Sequence, residues 1–198
     1  MRFLTALSPG TGAHQLEPVG FSWFVDGLME NTLAFAGEEC AGASLLRRDG
    51  SVWTTDKDGL VLGLLAAEIV ARTGRDPGEL YRDLATELGG SFYERIDAPA
   101  NSEQMALLKT VGARQLEVAQ LGGEPVLAIA TSAPGSGAAL GGVRVTAANS
   151  WFAARPSDTE NVYKIYAESF VGTDHLRHIQ RDAQTAIGGL IGASVVAN

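Results

Sequence analysis

The sequence predicts a mixed α/β chain in two parts: a partial α/β domain followed by a small C-terminal α+β domain. Three observations carry this expectation. Two consecutive stretches of helical periodicity, Thr55 to Gly74 and Asp76 to Gly89, follow a short strand-like run. Four β-rich segments then succeed one another at Pro125 to Thr131, Val143 to Ala147, Trp151 to Ala154 and Val162 to Glu168. One amphipathic helix from Thr173 closes the chain, and strands followed by a helix are the pattern of an α+β layer.

Each element has a local reason. Residues 1–16 mix Ser, Pro, Gly, Thr and His without periodicity and are expected to be a leader, with loop character to about residue 18. Gly20 to Met29 is rich in aromatics, and Thr32 to Ala36 is expected to be a buried strand ending at Gly37. Gly37 to Gly42 is a loop with glycine at both ends and adjacent carboxylates at Glu38 and Glu39. Arg48-Asp49-Gly50-Ser51 has the chemistry of a hairpin turn.

Thr55 or Asp56 is expected to cap the first long helix. Leu60, Val61, Leu64, Leu65, Glu68, Ile69 and Arg72 would face the core, and Gly74 would stop the helix. The second helix has Asp76 as cap, Pro77 in the first turn, Leu80, Leu84 and Leu88 on one side and Gly89 as its stop. Phe92 to Ile96 reads as a strand, and Asn101 or Ser102 starts a weaker helix through Leu108. Val111 to Gln115 looks like a linker, which places the domains at 17–111 and 112–198. Ala133 to Gly142 is expected to be a flexible connection. In the last helix Leu176, Ile179, Ala183, Ala186 and Ile187 would point inward.

The formal net charge of −8 argues against nucleic acid or an anionic membrane as a partner, because both need a basic face, and neither is expected. A single cysteine, Cys40, excludes an intrachain disulfide and fits a reducing cytoplasm. No apolar run reaches membrane-spanning length, and Phe3-Leu4 is too short for the core of a signal peptide.

The strongest chemical candidate is Arg155-Pro156-Ser157-Asp158-Thr159-Glu160, which lies between two expected strands. Arg155 supplies a planar fork of donors, Ser157 and Thr159 supply hydroxyls, and successive amides of such a turn can form an anion nest. Lys164 on the next strand would add a second positive charge. A solvated hairpin turn is the competing explanation, because Pro, Ser, Asp and Thr are turn formers.

Glu38 and Glu39 could accept hydrogen bonds from hydroxyls or serve acid–base chemistry, or simply be surface carboxylates. Cys40 has no histidine nearby in sequence to activate it. Lys57 at a helix start could meet a phosphate beside free first-turn amides, or be a solvated lysine between Asp56 and Asp58. His14, His175 and His178 lack metal-ligand spacing and are expected at the surface. The glycines of SAPGSGAALGG have no lysine or strand–turn–helix context for a nucleotide-phosphate loop.

Three stretches together, VGFSWFVDGL, AGEECAGASLLRRDGSVWTTDKDGLVLGLLAAEI and WFAARPSDTENVYKIYAESFVGTDHL, resemble the C-terminal half of bacterial phosphoglucomutases of the α-D-phosphohexomutase superfamily. The resemblance runs from about Glu17 to Ile187. It implies part of a third, sugar-binding domain and all of a fourth, phosphate-binding domain of a four-domain enzyme. That enzyme interconverts glucose 1-phosphate and glucose 6-phosphate, using a phosphoserine in the first domain and magnesium in the second. By this resemblance Glu38 and Cys40 take sugar-contacting positions and Lys57 a phosphate-contacting one. Arg155, Ser157, Asp158 and Thr159 form the phosphate loop, and Lys164 supports it.

The departures are specific. Neither a Ser-His-Asn serine loop nor an aspartate-rich magnesium run occurs in the 198 residues, so no catalytic or metal residue is expected in them. Ser22 replaces a usual lysine, Cys40 a usual serine and Asp158 a usual glycine. The expected partners are a phosphosugar and, for turnover, a separate chain supplying the first two domains. A non-catalytic remnant or phosphosugar-binding module is the alternative.

Overall fold

The computed structural model describes residues 4–7, 14–17, 20–38, 42–133 and 137–192. The chain divides into two units, residues 2–88 with 133–138, and residues 89–132 with 139–198 plus Met1.

In the first unit β1 (Leu4–Leu7) and β2 (His14–Glu17) pair antiparallel. A 3-10 turn at Phe21–Phe24 runs into α1 (Val25–Met29), and β3 (Phe35–Glu38) and β4 (Gly42–Leu45) follow. The sheet order is β2-β1-β3-β4. Residues 1–16 are therefore not a plain leader, because Thr5, Ala6 and Leu7 of β1 pair with Gly37, Ala36 and Phe35 of β3. Strands of four residues are too short to show a period, and their stabilising partner is distant in sequence. Phe21, Phe24 and Leu28 are buried with Leu33 and Ala36, and the two phenyl rings meet edge to face at 5.8 Å. The Arg48–Ser51 turn forms as expected: the Asp49 carboxylate accepts the Ser51 amide at 2.9 Å and its hydroxyl at 2.6 Å.

Helix α2 (Gly59–Thr73) is capped by Asp58, not by Thr55 or Asp56. One Asp58 oxygen accepts the amides of Leu60 and Val61 at 2.8 and 3.3 Å, and the other accepts the Trp53 indole N–H at 3.0 Å. The Trp53 bond, more than the two amides, holds the Asp58 carboxyl below the ordinary aspartate value. Gly74 closes α2 in the left-handed conformation. Helix α3 (Pro77–Leu88) opens with a reciprocal cap: Asp76 accepts the Glu79 amide at 3.0 Å, and Glu79 accepts the Asp76 amide at 3.1 Å.

The expected core face of α2 is not a core face. Leu60 is 82% and Leu64 70% exposed, no α2 residue is buried, and Leu84 of α3 is 53% exposed. Periodicity identifies an apolar stripe but does not supply the layer that covers it. Leu64→Glu is accordingly expected to change stability by no more than about 0.5 kcal/mol. Urea unfolding checks this, and a loss of several kcal/mol would show that the stripe is packed.

The second unit contains β5 (Phe92–Pro99), α4 (Ser102–Lys109), β6 (Gln120–Leu121), β7 (Glu124–Pro125), β8 (Ala128–Ser132), β9 (Ala139–Thr146), β10 (Ser150–Pro156), β11 (Val162–Ser169) and α5 (Thr173–Ile191). Its main sheet is antiparallel with order β5-β11-β10-β9-β8. The domain boundary expected at residues 111/112 falls at 88/89 instead. β5 pairs with β11 from Phe92↔Ser169 to Pro99↔Val162, and Val111 and Leu116 are buried in this unit's core. Isolated apolar residues in a polar run look like a linker until a distant strand and helix enclose them. Asn101 caps α4, and its capping box with Gln104 explains why this short helix starts there. Residues 139–142, expected in a flexible connection, are instead part of β9.

Leu176, Ile179, Ala183 and Ile187 of α5 are buried, as their spacing predicts, with Phe152, Ala154, Val143, Val145 and Ile165 from the strands. The N-cap of α5 is Gly172 rather than Thr173. His175 is half-buried rather than at the surface, and it ties chain segments together: Nδ1 lies 2.8 Å from the Ser169 hydroxyl and Nε2 3.1 Å from the Gly122 carbonyl.

Glu124 fastens β7 to the turn before β10, accepting the Asn149 side-chain N–H at 2.6 Å and its amide at 2.9 Å. The side-chain bond first and the amide second hold its carboxyl below the ordinary glutamate value. A depressed folded-state pKa adds stability above the unfolded-state value, and that stability is lost as pH falls through the folded-state value. The wild-type chain should therefore exceed Glu124→Gln in stability near neutrality and lose that advantage in acid. A difference independent of pH in denaturation series would refute this. Among the described residues no helix is long and apolar enough to cross a membrane.

Candidate functional site

The connection between β10 and β11 leaves the sheet at Pro156 and returns at Val162. The Ser157 amide donates to the Val162 carbonyl at 2.9 Å and closes the loop. The Thr159 amide turns toward the Ser157 hydroxyl at 3.4 Å. One amide of the expected nest is thus committed to the loop itself. Thr159 and Asp158 are exposed, and Ser157 is half-buried.

Strand register decides which charges meet. Arg155 and Lys164 are direct cross-strand partners, so their side chains stand on the same face of the sheet. That face is opposite the one on which Phe152 and Ala154 pack into the core. Like charges in this arrangement repel. The loop answers with carboxylates: Lys164 Nζ lies 3.2 Å from Glu160, and Arg155 Nη1 lies 3.8 Å from Asp158. The Lys164 and Arg155 side chains are only 16% and 23% exposed. Arg155 Nε is buried without a hydrogen-bond partner among the described residues. Asp97, the register partner of Lys164 on β5, forms its own ion pair with Arg95 at 2.9 Å.

Gly142 of β9 lets the strand pass close to the base of the loop. A Cβ there would meet the Ala154 carbonyl and lie 2.9 Å from Arg155 Cβ. Lys109, at the end of α4, stands 3.9 Å from the second Asp158 oxygen. Sequence reasoning missed Lys109, because it lies on a separate element and no local pattern links it to the loop.

Arg155, Ser157, Asp158, Thr159 and Lys164 therefore lie together at one loop. The remaining candidates lie in the first unit. Glu38 ends β3 opposite Gly42, and Cys40 lies outside the described residues. Lys57 is half-buried, with its amide bonded to Asp56 at 2.8 Å. The bridge between Ala43 and Asp58 brings the Lys57 segment against β4, and a Cβ on Gly42 would lie 2.9 Å from the Asp58 backbone. This close approach places Lys57 near the strand end that carries Glu38. The first-turn amides of α2 are not available to an anion beside Lys57, because Asp58 already occupies those of Leu60 and Val61. Among the described residues no group of three or more His, Cys, Asp and Glu that could hold a metal ion is found.

The class these parts define is a mixed α/β protein with a hydroxyl- and carboxylate-bearing loop flanked by two cations, Arg155 and Lys164, on an antiparallel sheet. A profile of the phosphoglucomutase/phosphomannomutase α/β/α domain III matches residues 10–88, ending where the first unit ends. The phosphoglucomutase of Komagataeibacter xylinus is 59% identical over 181 residues, which cover 91% of this chain and 33% of that protein. The crystal structure of a phosphoglucomutase/phosphomannomutase family protein from Burkholderia thailandensis has a TM-score of 0.60 at 23% identity, covering 90% of this chain and 33% of that one. The structural likeness speaks for the fold. Residues 10–88 thus match domain III of this family, and the chain spans about a third of the length of these relatives.

Proposed function

We propose that these 198 residues bind a phosphosugar of the glucose 1-phosphate and glucose 6-phosphate class. Arg155, Ser157, Thr159 and Lys164 grip its phosphate. In the first unit, taken by itself, Glu38 and Cys40 are the proposed sugar contacts and Lys57 a proposed phosphate contact. The observation that carries this is the cross-strand pair Arg155–Lys164, two largely covered cations held on one face at the mouth of a hydroxyl-bearing loop. The loop's own carboxylates already meet both cations, and a phosphate dianion resting on the pair would be stabilised by both charges in the same way.

Phosphotransfer in this family depends on positioned groups and metal charge, and the serine and magnesium motifs lie outside these residues. Turnover therefore requires the family's other domains, supplied within a longer chain or by a separate one, with magnesium held there. A non-catalytic phosphosugar-binding module is the second reading, favoured by Asp158 within ion-pair range of Arg155, which weakens the grip. The setting is the cytoplasm, in keeping with the lone Cys40.

The test has two arms. The purified chain with glucose 1-phosphate and magnesium should show no mutase turnover once contaminating mutase is excluded. Glucose 6-phosphate should bind and be displaced by inorganic phosphate but not by glucose. Turnover by the chain alone, or displacement by glucose only, would overturn the proposal.

A further inference from the structure

We propose that Asp158 is a built-in competitor for the phosphate position and that Lys109 is an additional cation of that position, an inference that rests on the phosphate assignment above. The two Asp158 oxygens face different cations, Oδ2 toward Arg155 Nη1 at 3.8 Å and Oδ1 toward Lys109 Nζ at 3.9 Å. Both distances exceed those of a direct N–H···O hydrogen bond, so the carboxylate stands between the cations without locking either. Asp158 and Lys109 are 71% and 64% exposed, and pairs of that kind hold weakly. A ligand phosphate brings more charge and more acceptor oxygens to the same two cations than one carboxylate does.

The effect of Asp158 is one of charge, not of backbone shape. Asn31 is the only non-glycine residue with positive φ among the described residues, so Asp158 sits in the loop with ordinary backbone angles. The other charges at the loop are accounted for: Glu160 is engaged by Lys164 at 3.2 Å, and Asp97 by Arg95. Lys109 is thus the cation best placed to follow the anion when a phosphate takes the place of Asp158. Because Asp158 stays tethered nearby, it also repels the phosphate that displaced it.

The experiment titrates inorganic phosphate, then glucose 6-phosphate, into the wild-type chain, Asp158→Asn, Asp158→Asn with Lys109→Met, and Asp158→Asn with Arg155→Met. Amide NMR spectra report binding and folding together. Asparagine keeps the shape of the side chain and removes its charge. Asp158→Asn should tighten phosphate binding about tenfold, the scale of one like-charge repulsion at short range. Adding Lys109→Met should reverse part of that gain, weakening binding roughly three- to fivefold, as for an exposed charge pair. If Asp158→Asn is no tighter than wild type, or Lys109→Met has no effect, while Arg155→Met still weakens binding, this inference is wrong and the phosphate loop stands. If the Asp158→Asn chain binds no phosphate at all, the phosphate loop is wrong as well.

Discussion

Replacing Phe152 with alanine is expected to destabilise the second unit by about 3–5 kcal/mol. Phe152 is fully buried on β10, and both α4 and α5 pack against that strand. Its neighbours in the core include Leu108, Val145, Ile165 and Ile179, all with no exposed surface. Their backbones are fixed by sheet pairing or helix, so the cavity cannot collapse fully, and lost contacts add to lost burial. Such a loss is a large share of the roughly 5–15 kcal/mol that holds a domain folded. Urea unfolding followed by hydrogen exchange of the β9, β10 and β11 amides measures it. Phe92→Ala is the control: Phe92 is 42% exposed at the start of the edge strand, and its loss should be much smaller. Equal losses at the two positions would contradict this view of the core.

Arg155→Met is expected to weaken phosphosugar binding by about 10- to 100-fold, the range for removing charge-assisted hydrogen bonds. Methionine keeps an apolar stem beside Gly142 and deletes the donor fork. The fold should tolerate the change. The variant relieves the repulsion between Arg155 and Lys164 and removes the buried, unpartnered Nε. Binding and stability should thus move in different directions, with affinity falling and the urea midpoint unchanged or raised. A variant that loses stability yet binds as tightly as wild type would make Arg155 a structural residue.

Local chemistry made much of this molecule legible in the sequence. The Arg48–Ser51 turn, the Asp76 cap, the inward face of α5 and the loop from Arg155 to Glu160 all follow from residues a few positions apart. What escaped was decided at long range. β1 is a strand because β2 and β3 pair with it, and β5 belongs to the second unit because it pairs with β11, far along the chain. The apolar stripe of α2 was visible, but its exposure was not, since period carries no information about a covering layer.

The candidate site divides in the same way. Arg155, Ser157 and Thr159 share one loop and were readable together. The pairing of Lys164 with Arg155 depends on strand register, and Lys109 arrives from a different helix. Thr55 or Asp56 was the expected cap of α2, and Asp58 takes that place instead. The Trp53 indole and the close backbone bridge to Ala43 select it. That choice also removes the first-turn amides that would have helped Lys57 hold an anion.

The most direct measurement is an amide NMR titration of the wild-type chain with glucose 6-phosphate, which detects weak as well as tight binding. The largest shifts are predicted at Ser157, Asp158 and Thr159, with smaller ones at Arg155 and Lys164, and all should shrink as salt screens the charges. Saturating shifts confined to other parts of the chain, or none at any concentration, would contradict the phosphate grip.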